Sequence, residues 1–253
     1  MRVAAVGDNL RRMHTQNLEY TVDGKRYVGF LAVDRSRSDK RPGILLAPEG
    51  SGVGDVQRER ARRLAGLGYV ALVLDYHGDG AVLAGPEMMQ ALGALRENPD
   101  KIRAIGRTGL ELLAAQPETD RDQLAATGYC YGGTAALELA RSGADLKCVV
   151  GFHSGLATSR PEDAKHIKAK VLVCIGADDP LIPPEQRLAF EAEMRAAKLD
   201  WRMYIYGNAV HGFANPMAGA MNNPTVVAYH QATDERSWRE MRDLFDETFG
   251  AIA

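Results

Sequence analysis

Apolar residues recur along this chain with two periods, and the switches between them mark the elements. Thr15 to Val22 alternates Leu18, Tyr20 and Val22 with polar neighbours, and Lys25 to Val33 is a second run rich in strand-forming residues. Asp23-Gly24 between them is a two-residue hairpin signal, so an antiparallel ribbon is expected first. Gly43 to Ala47 is a short apolar run that enters the glycine-rich segment Pro48 to Gly54. Asp55 to Leu67, charged on one side and apolar on the other, then predicts a helix. The strand, loop and helix unit recurs. Tyr69 to Leu74 is a buried strand ending at Asp75, and a helical region runs from about Pro86 to Gln116 with a break near Asn98-Pro99. Leu124 to Gly128 is a strand, and Gly132 to Arg141 is a helix of small residues. Leu146 to Phe152, Val171 to Ile175 and Trp201 to Tyr206 are further strands. Pro184 to Lys198, with proline in its first turn, and Thr233 to Phe249 are further helices. Strands that are apolar throughout, alternating with amphipathic helices, predict an α/β fold: a mostly parallel sheet of about eight strands with helices on both faces.

Composition narrows the class. At 253 residues, 45% hydrophobic and 25% charged, the chain fits one α/β domain over residues 13–253, preceded by an extension over 1–12. Met13 offers an alternative start. Thirty-one basic against 33 acidic side chains give a formal charge of -2, which supplies no broad field for nucleic acid or an anionic membrane. The first twelve residues lack the apolar stretch of a secretory signal, and nowhere do about 18 apolar residues run together. A cytoplasmic protein acting on a small, weakly charged partner is expected, as a monomer or homodimer. Cys130, Cys148 and Cys174 are an odd set without a Cys-x-x-Cys pair, so reduced thiols are expected rather than disulfides or a zinc knuckle.

The most informative segment lies between a predicted strand and a predicted helix. Gly128-Tyr129-Cys130-Tyr131-Gly132-Gly133 has the form Gly-x-Cys-x-Gly-Gly, a nucleophile elbow with cysteine where serine is commoner. A sharp turn there strains the nucleophile's backbone, glycines on either side let strand and helix approach, and the helix N-terminus favours a thiolate. The alternative is a buried structural cysteine after a glycine-rich turn. An activated thiol needs a base held by a third group. One strand runs into Gly176-Ala177-Asp178-Asp179 and another into Gly207-Asn208-Ala209-Val210-His211, so acid and base candidates both leave strand C-termini, the edge where parallel sheets build sites. A turn acid and a surface histidine are the alternatives for each alone. The residues by themselves leave Asp178 and Asp179 open.

Together these segments resemble the dienelactone hydrolase family of α/β-hydrolases over nearly the whole chain. The matching residues are the Cys130 elbow, Gly176 with Asp179 three residues on, His211-Gly212-Phe213-Ala214, and Pro48-Glu49-Gly50. The resemblance selects Asp179 as the third member beside Cys130 and His211. It also implies a gating role for Glu49, since members carry a glutamate there that contacts the resting cysteine and shifts when substrate binds. In this fold the oxyanion hole takes the amide after the nucleophile and one from the loop after the third strand, which would be Tyr131 and Gly50.

Members that act on the dienelactone hold its carboxylate with two arginines, one after the fourth strand and one shortly after His-x-Phe-Ala. Here those places read Asp75-Tyr76-His77-Gly78-Asp79 and Asn215. A neutral ester or lactone is therefore the expected substrate, with a neutral phosphotriester as the runner-up and a catalytically inactive small-molecule binder as the rival from another class. His77, His153 and His166 show no metal-ligand spacing, and His153 is expected to wall the site. The loop from Gly50 to Gly54 lacks both the P-loop and the dinucleotide signatures, so neither metal nor cofactor is expected.

Overall fold

The computed structural model describes residues 13–252; the extension expected over residues 1–12 lies outside them. Eight strands form a sheet in the order β1-β2-β4-β3-β5-β6-β7-β8. They are β1 (Met13–Val22), β2 (Lys25–Asp34), β3 (Arg41–Ala47), β4 (Val70–Val73), β5 (Thr119–Tyr129), β6 (Cys148–Phe152), β7 (Lys170–Gly176) and β8 (Trp201–Tyr206). The β1–β2 hairpin turns at Asp23 and Gly24, both with positive φ (50° and 76°), and β2 also pairs β4 antiparallel. From β4 to β8 every pairing is parallel.

Among the described residues six α-helices cover the two faces: α1 (Asp55–Gly66), α2 (Gly85–Glu97), α3 (Pro99–Ala114), α4 (Tyr131–Arg141), α5 (Pro184–Ala196) and α6 (Gln231–Phe249). Because successive strand residues point to opposite faces, β3 sends Leu45 to one core and Ile44 and Leu46 to the other. The first core takes Leu92 of α2, Ile102 of α3, Leu137 of α4 and Phe190 of α5. The second takes Leu64 of α1 and Trp238 and Phe245 of α6. The break expected near Asn98-Pro99 is the α2–α3 joint, where the Asn98 side chain accepts from Lys101 N–H at 3.2 Å.

Two strands are longer than their hydrophobic pattern. β5 starts at Thr119 and β3 at Arg41, pairing Arg41 with Thr119 and Pro42 with Asp120 before the register shifts between Pro42 and Gly43. The sequence pattern starts β5 at Leu124; in the structure Thr119 and Asp120 also pair at the sheet's amino edge, and residues 121 to 123 fall in the register shift. Among the described residues no helix is long and apolar enough to cross a membrane.

Candidate active site

The loops after β3, β4, β5, β6, β7 and β8 meet at the carboxyl edge of the sheet. The elbow between β5 and α4 puts Cys130 at φ 55°, ψ -123°, a conformation that costs a non-glycine residue of order 1–3 kcal/mol. Its neighbours leave no room to relax. A Cβ on Gly128 would stand 2.1 Å from Gly132 O, one on Gly132 2.2 Å from Ala47 O, and one on Gly133 1.6 Å from Ser154 Oγ. The Cys130 amide is fixed by Phe152 O at 2.9 Å. The residue Cys130 is partly exposed, whereas Cys148 and Cys174 are buried in strands and burial pushes each of their thiols up to about 12.

The acid and the base come from adjacent strands. Asp179 is 3% exposed and its Oδ2 accepts from His211 Nδ1 at 2.8 Å, while its Oδ1 accepts from Leu181 N–H at 2.8 Å. Asp178 is exposed, and its amide donates to Ala209 O at 3.1 Å. Gly176 is needed because the histidine loop crosses it: a Cβ there would lie 2.2 Å from Ala209 O. The His211 backbone is held on its other side by Val226 O at 3.1 Å and by the Ala228 amide at 3.1 Å.

With Nδ1 donating to the carboxylate, His211 Nε2 is buried and makes no hydrogen bond to a protein nitrogen or oxygen. Burial opposes charge on this ring. The Cys130 charge, the Asp179 hydrogen bond and the Cys130 sulfur interaction outweigh it, and the imidazole is pushed up to about 10. The protonated ring is therefore favoured beside the Cys130 sulfur.

Tyr131 opens α4, so its N–H belongs to the first turn, where amides lack intrahelical partners. Gly50 sits under α2, with Leu92 Cδ1 2.8 Å from where a Cβ would be. The Tyr76 hydroxyl donates to Glu49 O at 2.5 Å, and the peptide plane then turns the Gly50 N–H the opposite way. His77, kept neutral by burial, donates from Nε2 to Gly50 O at 2.8 Å.

The Glu49 carboxylate binds Gln57 and, at 3.1 Å, the Arg60 guanidinium. The contact implied for it with the resting Cys130 is not among its hydrogen bonds. Asp75, at the first place where a substrate arginine would stand, is fully buried and accepts from the amides of Val28, His77, Gly78 and Gly80, so it is the anchor of its loop. Asp79 is exposed and paired with Arg26 at 3.1 Å.

His153 lies against the site from behind His211. It is 0% exposed with both ring nitrogens unpartnered, held well below the usual imidazole range by burial, and its ring packs edge-on against His211 at 5.1 Å and Phe213 at 5.0 Å. His166 is exposed near Asp163.

Beside the elbow lies a cavity of about 530 Å³, with Met89, Ile102, Tyr131 and Leu181 among its apolar walls. Tyr131 adjoins Cys130 in the chain, and Leu181 follows Asp179 by two residues. The charged residues of its wall are Glu138, already bonded to Arg103 and Arg141, and Arg96, whose guanidinium lies 5.6 Å from the Tyr131 ring centre. Arg107 instead reaches Ser142 O at 3.5 Å.

Sequence reasoning missed Gln57, Arg60 and Tyr76. The signal for the first two was in α1, where Gln57 and Arg60 share the buried stripe with Ala61, Leu64 and Ala65. A long polar side chain on an apolar stripe needs a partner within the fold.

Residues 29–249 match the Dienelactone hydrolase family. The chain belongs to that family. Its fold is the α/β-hydrolase fold, and the protein is a hydrolase acting on ester or lactone bonds. A dienelactone hydrolase-like promiscuous phosphotriesterase from metagenomic libraries is 41% identical, with a TM-score of 0.91 over 94% of this chain and 100% of that one. The solved structure of m3DLH is 46% identical, with a TM-score of 0.91 over 94% of this chain and 99% of that one. The "Putative carboxymethylenebutenolidase" of Yersinia pestis is 25% identical over 98% of this chain and 95% of its own length.

Proposed function

We propose that this dienelactone hydrolase-family member is a cysteine-dependent hydrolase of uncharged carboxylic esters or lactones, working through a thioacyl enzyme. The observation that carries the reading is the buried His211, bonded to Asp179 at 2.8 Å, whose imidazole the Cys130 sulfur helps to push up to about 10.

In this mechanism His211 holds the proton of Cys130 and the thiolate attacks the acyl carbon. The Gly50 and Tyr131 amides bind the oxyanion. As the tetrahedral intermediate collapses, the bond from carbon to the leaving oxygen breaks and His211 returns the proton to that oxygen. Water then attacks the thioester, His211 takes its proton, the carbon–sulfur bond breaks, and a carboxylic acid leaves. Asp179 fixes the tautomer and steadies the imidazolium.

The test is hydrolysis of p-nitrophenyl esters alongside intact-protein mass measurement. Acyl mass trapped on Cys130, with activity abolished in Cys130→Ala, is the expected result; hydrolysis surviving in purified Cys130→Ala sinks the mechanism. Cys148→Ala and Cys174→Ala are expected to change stability and leave the acyl adduct in place.

A second reading is favoured by one finding, the 41% identical structure described as a promiscuous phosphotriesterase. The same thiolate and donors would accept a neutral phosphotriester. A burst of phenol with a phosphoryl adduct that hydrolyses slowly would identify that chemistry.

A further inference from the structure

The sheet ends in two edges of different chemistry. Among the described residues β1 pairs only with β2, and β8 only with β7. β1 carries His14, Thr15, Gln16, Asn17 and Glu19 along its length, a polar outline of the kind by which edge strands avoid pairing with other chains. β8 reads Trp201-Arg202-Met203-Tyr204-Ile205-Tyr206, and its one charge, Arg202, is bonded to Glu247 of α6. Ile205 is 53% exposed, Tyr204 37%, and Leu188 of the adjoining α5 65%. Large apolar side chains gathered on an unpaired strand edge mark an interaction site.

The backbone of this edge is set for a further strand. Val171 N–H donates to Asp200 O at 2.9 Å and Ala177 N–H donates to Tyr206 O at 2.8 Å. In a parallel ladder alternate residues face the neighbouring strand. Arg202 and Tyr204 therefore also turn their amides and carbonyls to β7, while Trp201, Met203 and Ile205 turn theirs outward. Trp201 and Met203 pack against the core on the α5 side, where the Trp201 ring meets Phe190. A groove of about 320 Å³ between β8 and α5 is walled by Leu188, Met203 and Ile205, and Arg187 and Glu191 flank it.

We propose that this edge joins a second copy of the chain by antiparallel β8–β8 pairing about a twofold axis at Met203. That register uses all three outward residues: Met203 faces its own copy, and Trp201 faces Ile205 of the second copy. Aromatic and β-branched residues placed opposite each other are a stabilising cross-strand pair. A twofold interface must also complement itself in charge. Arg187 and Glu191 stand one turn apart on α5; Arg187 makes no ion pair among the described residues, and Glu191 holds the exposed Arg195 at 2.6 Å. The axis sets the two α5 helices antiparallel on one face of the joined sheet, so Arg187 of each copy is directed toward Glu191 of the other. A second copy supplies both the missing strand and the opposite charge.

The test is light scattering on the full chain over a range of concentrations, with hydrogen exchange at both ends of that range. Twice the single-chain mass is expected at high concentration, with the amides of Met203 and Ile205 exchanging more slowly there and those along β1 unchanged. Ile205→Lys, a charge at an exposed edge position, is expected to leave the single-chain mass. Arg187→Glu and Glu191→Arg each put like charges opposite one another and are expected to weaken association. Mixed in equal amounts, the two variants restore opposite charges at both contacts, and the dimer is expected to return.

A single-chain mass at every concentration overturns the proposal and leaves the edge to an extended peptide of another protein. A dimer that keeps fast exchange at Met203 and Ile205, or that survives Ile205→Lys, overturns it as well, because the copies would then meet elsewhere. Charge variants that associate like wild type, or that fail to associate when mixed, overturn the twofold register. The exchange measurement uses the unaltered chain, so the proposal can fail even where a variant does not fold.

Discussion

Asp178 and Asp179 differ in what they face, and that difference sets their expected effects. Only Asp179 is bonded to His211, at 2.8 Å, while Asp178 is exposed. Asp179→Asn keeps the volume but presents the wrong hydrogen-bonding group to Nδ1, so turnover is expected to fall by roughly 10²- to 10⁴-fold with little loss of fold. Asp178→Asn is expected to stay within about twofold of wild type. Steady-state kinetics with an aryl ester checks both, and the reverse ranking would move the acid to Asp178.

His211 supplies the pH prediction. Its imidazole, ordinarily near 6.5, is pushed up to about 10 against the cost of burial, with Cys130 the largest favourable cause. A folded value above the unfolded one means that the protonated ring's contribution to stability is complete below about pH 6.5. It is lost as pH rises through about 10. Removing the sulfur in Cys130→Ala narrows that window from its upper end. NMR titration of the His211 ring is expected to give a midpoint more than one unit lower in Cys130→Ala; equal midpoints would show that the sulfur and the ring do not interact.

At the scale of elements, the elbow is an arrangement of backbones with no room for side chains. Gly132 lets α4 start against the end of β3, where a Cβ would stand 2.2 Å from both Ala47 O and Pro48 O. Those obstacles are carbonyls and cannot rotate away, so Gly132→Ala must move a helix or a strand. Destabilisation of about 3 kcal/mol or more is expected, together with lost activity, because the same shift displaces the Tyr131 amide. Urea unfolding measures it; a variant of wild-type stability would mean that the elbow can open cheaply.

The same packing logic governs α1, whose buried stripe mixes Ala61 and Leu64 with Gln57 and Arg60. Amphipathicity correctly predicts a helix and the face it buries. It assigns no purpose to the polar pair, because their partner Glu49 lies in the preceding loop.

Over the whole molecule, the proposed preference for an uncharged substrate is a question of where the cations lie. The places after β4 and after His211 where arginines would hold a carboxylate carry a loop anchor, a surface ion pair and Asn215. Arg60, though nearby, is occupied by Glu49. Two missing charge-assisted contacts, each worth about 1.5 to 3 kcal/mol, correspond to a loss of roughly two to four orders of magnitude for an anionic lactone. Comparing kcat/KM for the dienelactone and a neutral aryl ester, corrected for leaving-group reactivity, is expected to favour the neutral one. A corrected preference for the anion that disappears in Arg96→Ala would show that the cavity's own arginine has replaced the missing pair.

The order and type of the strands and helices were legible from sequence because burial imposes a period on each segment independently of the rest. The glycine spacing around Cys130, and the placing of acid and histidine after strands, were legible for a related reason: parallel strands deliver their C-termini to one edge. What the chain could not display locally is pairing at a distance. The structure bonds Asp179 to a histidine 32 residues away and links Arg60 to a carbonyl 154 residues away. It starts β5 at Thr119, ahead of the apolar run from Leu124, because Arg41 and Pro42 pair with Thr119 and Asp120. It also buries His153 behind His211, a packing partner that the sequence position after a strand does not name. Periodicity records whether a residue faces the core; which group it meets there depends on how separate elements are brought together, and only the tertiary structure decides that.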